Sequence, residues 1–259
     1  MNDGGTRDAF ETIRSEIEGV DSALMALFAQ RLQLCERISA PLSPAREIEM
    51  LRRLIAIAPA TLDRELLFEI WRALMAAAQR KRRVIDVVVG GGRGDPARLF
   101  DSARRHFGAR TRIKDLGEPQ AALQRASENP DAVVAVTTWP AGPGVGAWWP
   151  ALSERRFANL RLVAALPVLG DAEPEAAVFA ALDPEPAGGD TTLALAFDPH
   201  HRVQRALAEQ GLVGKEIARA EPRVLLRIEG FLAIDDPRAA AMTRAGLDSV
   251  RVLGSYARL

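Results

Sequence analysis

The chain of 259 residues has little cysteine, little lysine and no excess of either charge. Its single cysteine, Cys35, excludes an internal disulfide framework and a cysteine-rich metal site, and we expect a buried structural thiol there. Because 34 basic residues balance 34 acidic ones, no overall field attracts nucleic acid or an anionic membrane. Any anion site must therefore be local. The basic residues are almost all arginines, and the lysines are Lys81, Lys114 and Lys215.

Long apolar runs and targeting signals are also absent. No stretch approaches the roughly 18 apolar residues that a membrane-spanning helix needs. The first residues, MNDGGTRDAF, lack the basic start and apolar core of a signal peptide, so we expect a cytoplasmic protein without a membrane partner. Hydrophobic residues make up 48% and charged residues 26%, a typical globular balance, and the length predicts two or three domains.

The N-terminal third of the sequence predicts three helices. The first covers about 7–40, the second starts at Pro44 with Ser43 as its cap, and the third follows Thr61 into the basic run at 79–83. A first helix of that length carries more apolar surface than two shorter helices can cover. We therefore expect a partner chain, and the simplest partner is a second copy.

An arginine interrupts the apolar stripe of the first helix. Arg31 lies between Leu27 and Leu34 at the spacing of one helix face. An unpaired guanidinium taken out of water costs several kcal/mol, so Arg31 needs an anionic partner or a route for its head group to solvent. The rest of the stripe consists of Ile13, Ile17, Val20, Leu24 and Ile38.

Other charged residues adjoin the apolar faces of the helices. Arg82 continues the stripe of the third helix, and Arg46 and Glu47 flank that of the second. Arg14 precedes Arg31 by 17 positions, about 25 Å along a straight helix, so one chain cannot bring both to a small ligand. An antiparallel two-fold partner can, and the resulting pocket suits a small polyanion that carries a hydroxyl group.

These residues resemble the all-helical class of chorismate mutase over positions 7–83. The resemblance rests on Arg14 with the following Ile-x-x-Val-Asp, and on the stretches LMALFAQRLQL, PAREIEMLRRL and LFEIWRALMAAAQ. It implies an intertwined dimer of three-helix chains that converts chorismate to prephenate without a cofactor. In that site Arg14 of the partner subunit and Arg31 would hold the two carboxylates, Arg46 would support the site and Glu47 would bind the ring hydroxyl.

The sequence departs from that family at four positions. The aspartate common just before the second helix is absent, with Ser43 nearby. The connection ISAPLSPAR lacks the lysine that donates to the ether oxygen of the substrate, and Ala78 replaces a serine. Arg82 stands where the family has a glutamine or glutamate that also donates to the ether oxygen. Our hypothesis is that Arg82 partly replaces the missing ammonium group.

From Val84 onward the pattern alternates between strands and helices. Residues 84–188 predict a small α/β lobe with a partly parallel sheet, and the segment PEPAGGD at 184–190 has the composition of a linker. Residues 189–259 predict a compact ferredoxin-like β-α-β-β-α-β unit, provided that an additional strand forms near IARAEP. The fold class is therefore multidomain, with 1–83 helical and the remainder α/β.

The C-terminal two thirds resemble prephenate dehydratase with its ACT regulatory domain. The stretches AVFAALDPEPAGGDTTLALAF and FLAIDDPRAAAMTRAGLDSVRVLGSYARL carry this resemblance. Ala177, Val178 and Phe179 replace the family's Thr-Arg-Phe motif, and TTWPAG at 137–142 replaces a second motif. Residues 84–188 are also too few for both catalytic lobes. We therefore expect one retained lobe, no dehydratase activity, and an ACT-like domain that either binds another effector or is purely structural.

Cofactor and metal sites are not expected. GRGDPA fits a dinucleotide-binding turn, but the chain has no second nucleotide-binding half. The three histidines lack ligand spacing with acidic residues. The sequence thus predicts a homodimeric chorismate mutase of aromatic amino acid biosynthesis. The alternative is a non-enzymatic sensor or scaffold that binds chorismate, prephenate or an aromatic amino acid.

Overall fold

A computed structural model describes residues 3–38, 43–140 and 146–259, with side chains from Asp8 onward. Within these ranges three helices precede a nine-stranded sheet that is packed by four further helices. The helices are α1 (Asp3–Glu36), α2 (Pro44–Ile57), α3 (Arg64–Arg82), α4 (Pro96–Phe107), α5 (Pro119–Glu128), α6 (Val203–Glu209) and α7 (Pro237–Arg244). The strands are β1 (Asp86–Gly90), β2 (Ile113–Asp115), β3 (Val133–Thr138), β4 (Arg161–Leu166), β5 (Ala176–Ala180), β6 (Thr191–Phe197), β7 (Gly214–Ala220), β8 (Arg223–Glu229) and β9 (Ser249–Tyr256).

Short polar side chains set the starts of the second and third helices. The Ser43 hydroxyl accepts a hydrogen bond from the backbone N–H of Arg46 at 3.4 Å, which confirms the predicted cap of α2. Asp63 accepts from the N–H of Leu66 at 3.4 Å, so α3 starts at Arg64, three residues after Thr61. The predicted end of the first helix, at 40–41, lies outside the described residues, and α1 ends at Glu36.

The sheet has the strand order β2-β1-β3-β5-β4-β9-β6-β8-β7. Strand β1 pairs in parallel with β2 and β3, whereas β5 pairs antiparallel with β3 and β4. The prediction of a partly parallel sheet in the lobe at 84–188 is therefore confirmed.

The strands on the two sides of the predicted boundary at 188 belong to one sheet. Strand β9 joins β4 in parallel at the pair Leu162 and Gly254. Gly254 has φ +139°, and a Cβ there would lie 2.2 Å from the Leu162 carbonyl oxygen, so only glycine permits this approach. Nothing in the local sequence pattern indicated this junction.

The C-terminal residues follow the order β6-α6-β7-β8-α7-β9, and their strands lie in the sheet as β9-β6-β8-β7. The additional strand near IARAEP is present as β7. All three pairings within this part are antiparallel. Apolar residues of α6 and α7, among them Leu207 and Met242, form a core with the sheet.

One face of the sheet holds the N-terminal helices in place. Ala45 and Ile48 of α2 are buried in a cluster with Val87 and Val89 of β1 and with Leu99 of α4. The start of α2 therefore packs directly on the sheet. The opposite face carries α5 and residues 147–149, in which Trp148 and Trp149 are buried.

The segment at 184–190 is more tightly held than a linker. Ala187 and Asp190 are buried, and the Asp190 carboxylate accepts from the N–H of Ala187 at 3.0 Å. Arg52 of α2 donates to the carbonyl oxygens of Ala187 and Gly188, both at 2.5 Å, and to that of Arg258 at 3.1 Å. The composition of this segment is that of a linker, and composition alone does not reveal the contact with α2.

Helix α1 leaves most of its apolar stripe exposed in the single chain. Exposure of the stripe ranges from 42% at Leu24 to 59% at Val20 and Leu27. Cys35, expected to be buried, is only half-buried. None of the described helices combines the length and the hydropathy that crossing a membrane requires.

Candidate functional site

The five site residues predicted from sequence lie on the three N-terminal helices. Arg14 and Arg31 lie on the unbroken α1, Arg46 and Glu47 in the first turn of α2, and Arg82 at the end of α3. Their side chains contact Glu18, Met50, Glu185, Arg72 and Ile38, and none of these contacts joins two of the predicted site residues.

Arg31 is half-buried and poorly satisfied. Its Nη2 lies 3.7 Å from the Met50 sulfur of α2, a weak acceptor. Its Nη1 is buried and has no hydrogen-bond partner among the described residues. Burial of a cationic donor without an acceptor is costly, so this position is suited to an anion from outside the chain.

Arg14 is far from Arg31 and open to solvent. Its side chain is 73% exposed, and its Nε lies 3.5 Å from the Glu18 carboxylate, one turn along α1. Such an exposed pair contributes little to stability. Arg14 is therefore available to a second molecule without loss of an important internal contact.

Glu185, from the segment before β6, occupies the start of α2. Its carboxylate accepts from the Ser43 hydroxyl at 2.6 Å and from Arg46 Nε at 3.5 Å. The Ser43 hydrogen bond, with a further contribution from Arg46, lowers the pKa of Glu185. An anion thus already lies beside Arg46 within the chain.

Glu47 pairs with Arg72, a residue that the sequence reasoning missed. The Glu47 carboxylate accepts from Arg72 Nη1 at 2.6 Å, and Arg72 Nε donates to the carbonyl oxygen of His106 at 2.9 Å. Arg72 is buried, with 7% of the residue exposed. The sequence contained a signal for this residue: Arg72 interrupts the largely apolar stretch LFEIWRALM in the same way that Arg31 interrupts the stripe of the first helix.

Arg82 links the ends of two helices. Its guanidinium donates to the carbonyl oxygen of Ile38, just beyond α1. Next to it, Lys81 pairs with Glu36 at 2.5 Å. The C-terminal ends of α1 and α3 therefore lie together, with Arg82 at their junction.

His106 lies beside Arg72 at the end of α4. Burial lowers the pKa of the His106 imidazole well below its ordinary value, and the nearby Arg72 guanidinium lowers it further. The imidazole is therefore neutral at pH 7. No group of three or more histidine, cysteine or acidic side chains suited to a metal ion occurs in the part of the chain that the structure describes.

Residues 13–82 match the family model of chorismate mutase type II. This match confirms the resemblance predicted for the three helices, and it includes all five predicted site residues. The comparison with curated proteins found no match.

Several solved structures are similar to the larger part of the chain. Prephenate dehydratase from Arthrobacter aurescens in complex with L-Phe has 15% identity and a TM-score of 0.46, with 66% of this chain and 90% of that chain covered. Prephenate dehydratase from Streptococcus mutans has 13% identity and a TM-score of 0.41, with 65% and 96% covered. GqqA, described as a novel type of quorum quenching acylase, has 15% identity and a TM-score of 0.40, with 67% and 95% covered.

Proposed function

We propose that helices α1–α3 form a chorismate mutase that rearranges chorismate to prephenate without a cofactor. The observation that carries this proposal is the buried Nη1 of Arg31, which has no hydrogen-bond partner among the described residues. A carboxylate of the substrate would supply the missing acceptor. The family match over residues 13–82 supports the same assignment.

The proposed reaction suits cationic residues. A [3,3] rearrangement is unimolecular, so the protein needs neither a nucleophile nor a base. It must hold the reactive conformer and stabilise the negative charge that develops on the breaking ether oxygen. Arg31 would bind a carboxylate, and Arg82, at the junction of α1 and α3, would donate to the ether oxygen in place of the lysine of the family.

The active form is proposed to be a homodimer. Arg14 and Arg31 lie 17 residues apart on one continuous helix, roughly 25 Å along its axis. A second copy in antiparallel orientation would bring its Arg14 to this chain's Arg31. The same copy would cover the exposed stripe of α1, whose apolar side chains each gain about 1.5–3 kcal/mol on full burial.

Glu47 is proposed to bind the ring hydroxyl while Arg72 holds its carboxylate in place. A carboxylate has two oxygens, and Arg72 Nη1 uses one of them, Oε2. The other oxygen is free to accept from a hydroxyl group. Arg46 would support the site once a substrate carboxylate competes with Glu185 for it.

The remaining two thirds are proposed to lack dehydratase activity. Ala177, Val178 and Phe179 are buried within β5 and offer neither a hydroxyl nor a cation for chemistry. We further propose that residues 189–259 act as an ACT-like unit, supported by the order β6-α6-β7-β8-α7-β9 and its antiparallel strands.

The proposal is tested by the absorbance of chorismate in the presence of micromolar purified protein. We expect decay faster than the spontaneous rate, prephenate as the product, and no phenylpyruvate above its spontaneous formation. Arg31→Ala should lower the rate by roughly 100-fold or more. Arg37→Ala, at an exposed position beyond the end of α1, is the matched control and should retain the rate. Absence of decay with the wild-type protein would refute the enzymatic function.

A second candidate function is a sensor or scaffold without catalysis. It is favoured by Glu185, which already occupies Ser43 and Arg46, and by the missing lysine. Calorimetric titration with chorismate distinguishes the two functions. Saturable binding without decay would indicate the sensor, whereas binding with turnover indicates the mutase.

A further inference from the structure

A cleft lies between part of the N-terminal helices and the sheet. Its volume is about 440 Å³, within the range of small-molecule sites. It lies between the start of α2, the second half of α3, the end of α4 and the face formed by β3, β4 and β5. A smaller cavity of about 30 Å³ shares Glu47 and Arg72 with the cleft and is also lined by Ser255 and Tyr256.

This cleft shares only one residue with the group of five proposed for the mutase. Of those five residues, it contains Glu47, and it contains none of Arg14, Arg31, Arg46 and Arg82. Glu47 forms part of its wall through the ion pair with Arg72. A ligand in the cleft would therefore lie beside the Glu47–Arg72 ion pair of the proposed site.

Most charged side chains that line the cleft are already neutralised. Arg72 pairs with Glu47 at 2.6 Å, and Arg83 pairs with Asp131 at 3.2 Å. The other two acids pair with arginines outside the lining: Asp183 with Arg161 at 3.7 Å and Glu185 with Arg46 at 3.5 Å.

Arg80 is the exception. Its guanidinium forms no hydrogen bond or ion pair with any residue in the described ranges 3–38, 43–140 and 146–259. The side chain is half-buried, and a Cβ on Gly108 would lie 3.6 Å from its Nη1, so the guanidinium lies over the end of α4. One uncompensated cation thus borders the cleft.

The walls beside Arg80 are apolar. Met75 and Ala76 of α3 face Val134 of β3, Ala180 of β5 and the adjoining Leu182. Met75 and Ala76 are buried, Val134 and Ala180 are half-buried, and Leu182 is 39% exposed. An apolar body placed between α3 and the sheet would remove this surface from water.

We propose that the cleft binds a small monocarboxylate with an apolar body, with Arg80 as the counter-ion of the carboxylate. A dianion is disfavoured because Arg72 and Arg83 are already paired. An amino acid is disfavoured as well, because each of the four acids in the lining already has an arginine as its counter-ion. The proposal does not depend on the proposed reaction, since binding is measured directly.

Calorimetric titration of the full chain with 3-phenylpropanoate tests this site. Saturable binding of one molecule per chain is expected, and Arg80→Gln should weaken it roughly 10- to 100-fold through loss of a charge-assisted hydrogen bond. Arg110→Gln, an exposed arginine outside the cleft, is the matched control and should bind as the wild type does. Equal affinity in wild type and Arg80→Gln would overturn the proposal.

The ligand provides a second comparison that needs no variant. The neutral amide of 3-phenylpropanoate keeps the apolar body and removes the charge. Phenylalanine keeps the apolar body and adds an ammonium group. Both should bind the wild type at least 10-fold more weakly than the carboxylate. If the amide binds equally well, Arg80 does not recognise an anion and the inference is wrong, whatever the activity toward chorismate.

Discussion

Arg72 of α3 and Glu47 of α2 form an ion pair of 2.6 Å between Nη1 and Oε2, in which the Arg72 side chain is 9% exposed and that of Glu47 23% exposed. The same guanidinium donates to the His106 carbonyl at the end of α4. One buried side chain therefore connects three helices. It also holds Glu47, the carboxylate proposed to bind the substrate hydroxyl.

Arg72→Met should strongly destabilise the folded chain. The substitution leaves the half-buried Glu47 carboxylate without its cation and the His106 carbonyl without its donor, so we expect a loss of about 3–5 kcal/mol in the free energy of unfolding. Urea unfolding at fixed protein concentration measures this loss. Arg98→Met is the matched control: Arg98 pairs with Glu175 on the surface, and its removal should change stability little.

A double-mutant cycle measures the coupling energy between Arg72 and Glu47. Glu47→Gln keeps an acceptor for Arg72 and should cost less than Arg72→Met. The combined variant should be less destabilised than the sum of the two, because each change removes the same contact. Strict additivity would mean that the 2.6 Å contact contributes no coupling energy.

Acid should destabilise the protein through His106 as the pH falls below about 6.5. Burial and the Arg72 guanidinium lower its folded-state pKa, so the unfolded chain binds the proton more readily. The stabilisation is complete above the unfolded pKa of about 6.5 and falls by about 1.4 kcal/mol per pH unit as pH drops toward the folded pKa.

His106→Gln isolates this effect. The other two histidines, His200 and His201, are exposed and are present in both proteins, so the comparison reports on His106. Urea unfolding between pH 7.5 and pH 5.5 should therefore show a clear slope for the wild type and a much smaller one for the variant. Equal slopes would show that the imidazole protonates in place without cost.

The exposed stripe of α1 should be the dimer contact. Ile17 lies in its middle and is 56% exposed in the single chain. Ile17→Glu places a charge in the buried contact and should convert the dimer to a monomer in light scattering with size-exclusion chromatography. Ser15→Glu, off the stripe, should leave the dimer intact. A wild-type protein that is already monomeric would rule out the dimer.

Local patterns in the sequence predicted much of the secondary structure, because caps and periodicity act over a few residues. Ser43 and Pro44 set the start of α2, and the alternation after Val84 gave the order of strands and helices. The extra strand β7 was foreseen only as a condition. Its residues have mixed burial and lack a clear alternation.

Long-range contacts were not predictable in the same way. The pairing of Gly254 with Leu162 joins strands about ninety residues apart in the sequence. The residues near Gly254 do not indicate which strand it pairs with. The Glu185 contact with Ser43 and Arg46 has the same origin. At the site, periodicity singled out Arg31 and Arg82 but could not show that Glu47 faces Arg72, because that depends on how α3 is rotated against α2.

The most specific prediction of the dimer concerns shared sites. If Arg14 of one chain completes the site that contains Arg31 of the other, then Arg14→Ala and Arg31→Ala homodimers should each be inactive. A mixed dimer contains one site with both substitutions and one site with neither. Random exchange of equal amounts makes about half of the dimers mixed, so activity should return to about a quarter of the wild-type value.

The mixture discriminates the arrangement because the two substitutions lie on one helix, 17 residues apart. If Arg14 and Arg31 of the same chain served one site, every mixed dimer would have a damaged residue in both sites and no activity would return. Chorismate absorbance before and after exchange measures the difference. Mixing Arg31→Ala with Arg82→Ala provides the control: both residues are assigned to the same chain's site, so this pair should remain inactive, and recovery there would place Arg82 in the neighbouring site.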